Sequence, residues 1–326
     1  MKHISILVPS GGVALGTIEG SYIAFTKVND FLESMGKPPL FKVQLIGLTK
    51  EPQVYSKFFT VYPDLEVNDL PKTDLIIIPA VNGDMKKVIE ANAGFMPWIV
   101  QQYKEGAELA SLCVGAFLLA STGLMKGKQC STHWMAVHEF RTLFPDVNLV
   151  SEKIITDEQG IYSSGGAHSF WNLLLYLIEK YVNREMAILA SKYFVIEIDK
   201  SSQSSFIIFR GQKEHEDEDI KKAQEYIEQH YTTKITVDKL ADTFAIGRRS
   251  LERRFKKATS NTVTEYVQRV KIEAAKKSFE TNRKNINEVM FDVGYSDIKA
   301  FRDVFKKITG MTPIDYRNKF NREAAF

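Results

Sequence analysis

LASLCVGAFLLASTG, Leu109 to Gly123, climbs through an apolar run to a lone cysteine, turns through Val114-Gly115 and continues with apolar residues at helical spacing. A strand, a tight turn of small residues and a helix that begins at the turn are how a layered α/β fold presents a side chain at the end of its sheet. Reading outward strengthens this. HISILVPS, FKVQLIGL, TDLIIIPA and AELASL are short continuous apolar runs, the pattern of strands buried on both faces. Between them, residues 19–35 and 84–103 carry apolar positions at helical spacing. Further on, IYSSGGAH turns through glycines into the long apolar helix SFWNLLLYLIEKYV. The first part of the chain is therefore expected to be α/β, a parallel sheet flanked by helices with flavodoxin-like layering.

The 326 residues exceed the usual single-domain size, so a second domain is expected. Two cysteines are too few for a disulfide framework, and no apolar run approaches the ~18 residues of a membrane span. Nothing at the N-terminus resembles a signal peptide, and the expected setting is the reducing cytoplasm. Charge is unevenly placed. From Ile220 onward there are 23 Lys and Arg against 14 Asp and Glu, whereas the preceding residues have 20 against 26. A basic C-terminal part suggests a polyanion partner there, although a lysine-rich solvated surface would give the same count. The serine cluster after residue 200 and the acidic run Glu214–Asp219 read as a linker leading into a helix start. The expected division is an α/β domain over 1–195, a linker over 196–215 and a helical domain over 216–326.

Two segments of the helical part share one plan. In ITVDKLADTFAIGRRSLERRFKK a short helix ending near Phe244 is followed by a turn at 245–247 and a basic helix with Leu251 and Phe255 four apart. In INEVMFDVGYSDIKAFRDVFKK a short helix ends at Val293-Gly294, and the next helix carries Phe301 and Phe305, again four apart. Each reads as a helix-turn-helix whose second helix buries one face and offers the other to a DNA major groove. Leu251-x-x-x-Phe255-Lys256-Lys257 and Phe301-x-x-x-Phe305-Lys306-Lys307 stand at matching positions, as in a duplicated reading unit joined by one long helix. On GYSDIKAFRDVFKKITGMTPIDYR, with its glycine-aromatic, F-x-x-x-F-K-K, T-P and Y-R elements, the last hundred residues resemble the AraC family of transcription regulators.

That resemblance implies two recognition helices in successive major grooves. Arg249, Glu252 and Arg253 would face base edges from the first, where Arg suits guanine and Glu suits cytosine. Arg248, Arg254, Lys256 and Lys257 would hold phosphates. The second helix would offer Ile298, Lys299, Arg302 and Asp303, with Ile298 against a thymine methyl and Lys306 on the backbone. Gly247 stands where a serine often caps the first recognition helix.

Around Ser111-Leu112-Cys113-Val114-Gly115 the pattern is that of a nucleophile elbow with cysteine in place of serine, and His133 in STHW is the candidate base. On ASLCVGAFLLASTGLMKGKQCSTHW and SSGGAHSFWNLLLYLIEK, residues 1–190 resemble the ThiJ/PfpI family of glutamine-amidotransferase-like proteins. Coupled to an AraC domain this is the arrangement of GlxA-like regulators. In enzymatic relatives the cysteine works with a histidine and an acid. Here Thr17 occupies the acid's position and Val114 follows the cysteine where hydrolytic members carry His or Thr. Three readings of Cys113 stay open: a small buried residue at a tight turn, the floor of a ligand pocket or an oxidant-sensing thiol, and a nucleophile.

The expectation is a cytoplasmic, DNA-binding transcription regulator, a homodimer whose non-catalytic α/β domain binds a small-molecule effector around Cys113, His133, Thr17, Val114 and His168. The alternative is a cysteine-dependent hydrolase or hydratase carrying a DNA-binding domain. No cofactor and no metal are expected, since the histidines and cysteines lack ligand spacing and Gly11-Gly12 to Gly16 lacks a dinucleotide or phosphate-loop pattern.

Overall fold

The computed structural model describes residues 1–198 and 200–321. The chain divides into two compact units, Met1–Gln203 and Ser204–Phe326.

In the first unit, seven strands form one sheet: β1 (Lys2–Leu7), β2 (Phe41–Gly47), β3 (Leu65–Glu66), β4 (Leu75–Ile78), β5 (Glu108–Leu112), β6 (Ile155–Glu158) and β7 (Ile161–Ser164). Their order across the sheet is β6-β7-β5-β4-β1-β2-β3. Neighbours are parallel except β6 and β7, which form an antiparallel edge hairpin. Gln159 and Gly160 turn that hairpin, both at positive φ, 57° and 79°, as a two-residue turn matched to strand twist requires. The four residues of β4 are all fully buried, which accounts for its unbroken apolar sequence.

Helix α1 (Leu15–Ser34) buries Ile18, Ala24, Phe25, Val28 and Leu32. The apolar stretch expected as one helix over 84–103 is two, α2 (Met85–Ala91) and α3 (Phe95–Lys104). The break has a reason: Asn92 caps α2 and turns inward, its amide donating to Ser10 O at 3.0 Å while its oxygen accepts from Ser10 N at 2.8 Å. Helices α4 (Ala116–Ser121), α5 (Val137–Leu143), α6 (Phe170–Tyr181) and α7 (Arg184–Phe194) complete the unit.

The second unit is helical throughout its described residues: α8 (Glu218–His230), α9 (Val237–Thr243), α10 (Arg248–Thr259), α11 (Val263–Thr281), α12 (Ile286–Asp292), α13 (Ile298–Thr309) and α14 (Pro313–Phe320). It holds two cores. Ile220, Ile227, Leu240, Leu251, Phe255 and Tyr266 form one, and Phe279, Val289, Met290, Phe301, Phe305 and Tyr316 the other. Helix α11 serves both, Val263 to Val267 in the first and Ile272 to Phe279 in the second.

The duplication reaches atomic detail at a spacing of 50 residues. Thr259 Oγ1 donates to Phe255 O at 2.8 Å and accepts from Asn261 N; Thr309 Oγ1 donates to Phe305 O at 2.8 Å and accepts from Met311 N. Thr262 and Thr312 then cap the following helices. Tyr266 donates to Glu228 and Tyr316 to Glu280.

The division between units falls inside the segment read as a linker, and residues on both sides of it are fastened. Gln203 is buried in the first unit, donating Nε2 to Ser151 O and Thr132 O at 2.8 and 3.0 Å. In the second unit Phe206 meets Phe320 edge-on, Ile207 O accepts from Lys276 Nζ, and Phe209 N donates to Glu273 Oε2 at 3.1 Å. Lys276 and Glu273 are themselves a nearly buried pair 2.9 Å apart. Gln203 from the segment, and Lys276 and Glu273 from α11, thus satisfy main-chain carbonyls and amides along this path.

Candidate functional site

Both reading helices are positioned by the same arithmetic. On α10 the residues Leu251, Phe255 and Thr259, spaced by four, are buried, which turns Arg249, Glu252, Arg253 and Lys256 outward. On α13 Phe301, Phe305 and Thr309 are buried and Lys299, Arg302, Asp303 and Lys306 are exposed. Arg249, Arg253, Lys256, Lys299, Arg302 and Lys306 form no ion pair with another described residue, so their charges are available to a polyanion. A cavity of about 520 Å³ lies along α10, lined by Arg249, Glu252, Arg253, Lys256 and Lys257 and by the start of α11. The start of α10 at Gly247 has no side-chain cap, whereas Asp297 caps α13 by accepting from Ala300 N at 2.6 Å.

Three expected DNA contacts are placed differently. Ile298 is half-buried against the second core rather than presented outward. Arg248 is exposed but engaged, its Nη1 3.0 Å from Asp238 Oδ1 and its Nε 3.8 Å from Glu252. Arg254 does not stand free for phosphate: Nε and Nη2 grip the two oxygens of Asp217 at 2.9 and 2.6 Å, and Nη2 also meets Asp219. The acidic run thus does more than favour a helix start. Asp217 caps α8 and holds α10 through one side chain, and the Arg254 hydrogen bonds keep its carboxyl below the usual range. Nothing in the sequence marked this pair, since 37 residues separate its partners.

The turns preceding the two reading helices differ. Ala245 sits at φ 50° where the second helix-turn-helix has Gly294 at φ 76°. Only glycine fits at 294: a Cβ would fall on the Thr232 carbonyl, 2.6 Å from its carbon and 2.8 Å from Lys271 Nζ. Lys271, buried on α11, donates to Gly294 O at 2.9 Å and so pins the second turn to the connecting helix.

In the α/β unit, Cys113 takes φ 54° at the end of β5, the strained conformation of an elbow. Gly115 allows the elbow to close on β4, since a Cβ there would lie 2.6 Å from Ile78 O. Cys113 N donates to Ser164 Oγ at 3.3 Å and Cys113 O accepts from Thr132 Oγ1 at 3.0 Å. The side chain is only 6% exposed, and burial pushes its thiol up to about 11, against a smaller opposing effect of the Val114 N–H. Thr17 is buried with its hydroxyl committed, donating to Ala14 O at 2.6 Å and accepting from Ala80 N at 3.1 Å. Thr17 and the elbow thus flank the same segment at the end of β4. His133 is half-buried, its Nδ1 accepts from Met135 N at 3.2 Å, and burial lowers its pKa. Val114 is half-buried in the turn directly after Cys113, whereas His168 is exposed at the start of α6. Sequence reasoning missed Thr132 and Ser164, which hold the elbow's backbone, and Gln203, which holds Thr132; STHW and IYSSGG were read for histidine and glycine.

Residues 240–319 match a family described as a helix-turn-helix domain, and residues 29–180 match the DJ-1/PfpI family. The chain is an AraC-type transcriptional regulator with a DJ-1/PfpI domain. Its relatives include the HTH-type transcriptional regulator GbdR of Pseudomonas aeruginosa, 25% identical over 79% of this chain and 69% of that one. CdhR of the same species, also an HTH-type transcriptional regulator, is 22% identical over 84% of this regulator and 81% of its own length. The bifunctional transcriptional activator/DNA repair enzyme AdaA of Bacillus subtilis is 35% identical over 31% of this chain and 48% of that protein. Among solved structures, a transcriptional regulator protein from Vibrio parahaemolyticus matches with a TM-score of 0.53 and 20% identity, covering 59% of this chain and 98% of that one. A ThiJ/PfpI family protein from Pseudomonas syringae gives 0.51 at 14% identity over 75% and 90%, and at such identities the likeness is one of fold. Among the described residues no helix is long and apolar enough to cross a membrane, and no cluster of His, Cys, Asp and Glu could hold a metal ion.

Proposed function

We propose that the regulator binds its operator in the cytoplasm through α10 and α13 in successive major grooves, and that its α/β unit senses a small molecule at the Cys113 elbow without converting it. The observation that carries the non-catalytic reading is the state of the elbow. Cys113 is buried and held protonated, and at the acid's position stands Thr17, which bears no carboxylate and whose hydroxyl is tied to backbone, donating to Ala14 O and accepting from Ala80 N. A nucleophile needs an oriented base to take its proton, and His133 spends Nδ1 on Met135. In the DNA-binding roles, Arg249, Glu252, Arg253 and Arg302 address base edges, with Lys299 beside them. Lys256 and Lys306 hold phosphates, and Arg248 joins them only on leaving Asp238. An effector acts by binding the DNA-competent and incompetent arrangements unequally.

The partner in operator binding is a second copy. The hairpin of Gln53–Tyr55 and Phe59–Val61 exposes Val54, Phe58, Phe59 and Tyr62 and carries one charge, Lys57, between its ends, which supports an apolar contact between copies. The test is to select duplexes from a random library with the full chain and measure affinity, sedimentation and amide or aldehyde turnover for the protein and for Cys113→Ala and Cys113→Trp. The expected result is dimers, no turnover, and a DNA affinity that changes with Cys113→Trp. Turnover that disappears in Cys113→Ala would establish the enzyme reading, and DNA affinity indifferent to Cys113→Trp would remove the elbow from regulation.

A further inference from the structure

The residue that ends the α/β unit is hydrogen-bonded to the elbow's own support. Thr132 Oγ1 donates to Cys113 O at 3.0 Å, and the carbonyl of the same Thr132 accepts from Gln203 Nε2 at 3.0 Å. Gln203 is 2% exposed, and its backbone N donates to Glu152 O at 2.9 Å. Its amide fits only because residue 165 is glycine, where a Cβ would come within 2.9 Å of Gln203 Cδ. Gln203 Oε1 is buried and accepts from no described residue, so the Nε2 bonds alone orient the amide.

After Gln203 the segment is fastened within the second unit. Phe206 and Phe209 are fastened to α14 and α11, Gln212 O accepts from Gln224 Nε2 at 2.9 Å, and the segment ends at Asp217, which grips Arg254 on the first reading helix. The corresponding position on the second reading helix is Val304, which has no such grip.

We propose that Thr132 and Gln203 are positioning residues that couple the elbow to DNA binding. A change in the Cys113 turn shifts Thr132, Thr132 shifts the Gln203 amide, and the fastened segment 204–217 delivers that shift to α11 and, through Asp217 and Arg254, to α10. The proposal rests on the sensing role given to the elbow and names the residues through which it acts. It requires reciprocity: whatever the elbow does to DNA binding, DNA binding does to the elbow.

Reciprocity supplies a test that needs no effector. The full chain is alkylated with N-ethylmaleimide in the presence and absence of saturating selected duplex, and the Cys113 peptide is quantified by mass spectrometry, with the fully buried Cys130 as internal reference. The expected result is a rate at Cys113 that DNA changes at least threefold in the native protein and in Thr132→Ser, which keeps the hydroxyl. In Thr132→Val and Gln203→Met the ratio falls to about one while DNA is still bound. A ratio that persists in both of these variants overturns the Gln203 route and leaves elbow sensing standing. A ratio of one in the native protein overturns both. Two variants with different packing demands keep the test open should either fail to fold.

Discussion

Replacing Gly294 with alanine should unseat the second reading helix and leave the α/β unit intact. At φ 76° an L-residue costs roughly 1–2 kcal/mol, of which the stiffer unfolded chain returns about 0.4–1 kcal/mol. The new Cβ falls on the Thr232 carbonyl and 2.8 Å from Lys271 Nζ, both anchored, so an overpacking cost of about 1–3 kcal/mol is added. The net expectation is a loss of about 3 kcal/mol. The equivalent turn offers the opposite experiment, because Ala245 already bears the left-handed strain at φ 50°, and Ala245→Gly should gain about 0.5–1 kcal/mol. Urea unfolding can assign these changes to a unit, because Trp98, Trp134 and Trp171 all lie before residue 203. Tryptophan fluorescence follows the α/β unit, and helical circular dichroism adds the second one. Gly294→Ala should move the dichroism transition to lower urea without moving the fluorescence transition, and should weaken binding to the selected duplex. A dichroism midpoint unchanged by Gly294→Ala would refute the close approach of this turn to Thr232.

Thr17→Val removes a buried hydroxyl but leaves the Ala80 N–H without its acceptor, so the fluorescence transition should fall by about 1–3 kcal/mol. The alkylation rate of Cys113 should climb with pH until about 11, and a plateau near neutrality would contradict the buried, protonated thiol. The same shift has a sign in stability: the folded thiol holds its proton more tightly than the unfolded one, so stability is full below the unfolded value near 9.0 and declines as pH rises toward about 11. Cys113→Ser should lessen that decline. Lys256→Ala and Lys306→Ala should each weaken DNA binding evenly across sequences and reduce the slope of log affinity against log salt by about 1, read by titration at several salt concentrations.

Most of this architecture is legible because it is written in local periodicity. Leu251, Phe255 and Thr259, and their counterparts 50 residues on, declare their buried face by spacing alone. The continuous apolar runs announce the inner strands. What escapes are pairings made across long separations or through backbone. The edge hairpin of β6 and β7 hides its partner in ITDE, a polar tetrapeptide. The break at Asn92 follows from a contact with Ser10, 82 residues away. At the elbow, Cys113, Val114 and Thr17 could be placed from the strand-turn pattern and the family resemblance. Thr132 and Ser164, which hold the elbow, and Gln203, which holds Thr132, act on main-chain atoms, and no side-chain pattern encodes that.

The two reading helices show how one duplicated scaffold yields a directional reader. At matching positions Arg249 and Lys299, and Lys256 and Lys306, keep the same sign, so on the proposed roles Lys256 and Lys306 would hold the phosphate backbone alike. Between them the signs reverse: Glu252 answers to Arg302 and Arg253 to Asp303. A carboxylate accepts from cytosine N4 where a guanidinium donates to guanine O6 and N7, so the same place in the two grooves prefers different bases. On the proposed roles, one copy of this chain is expected to recognise two unlike sub-sites in a fixed order. Inverting one of them within a selected duplex should cost affinity even though the composition of the site is unchanged. The Arg254 grip adds a second asymmetry: Asp217 of the segment leaving the α/β unit holds α10 by an ion pair, whereas α13 packs against Ser204–Phe206 of the same segment. An effector's influence should thus reach both sub-sites directly, through Asp217 and Arg254 at α10 and through Ser204–Phe206 at α13.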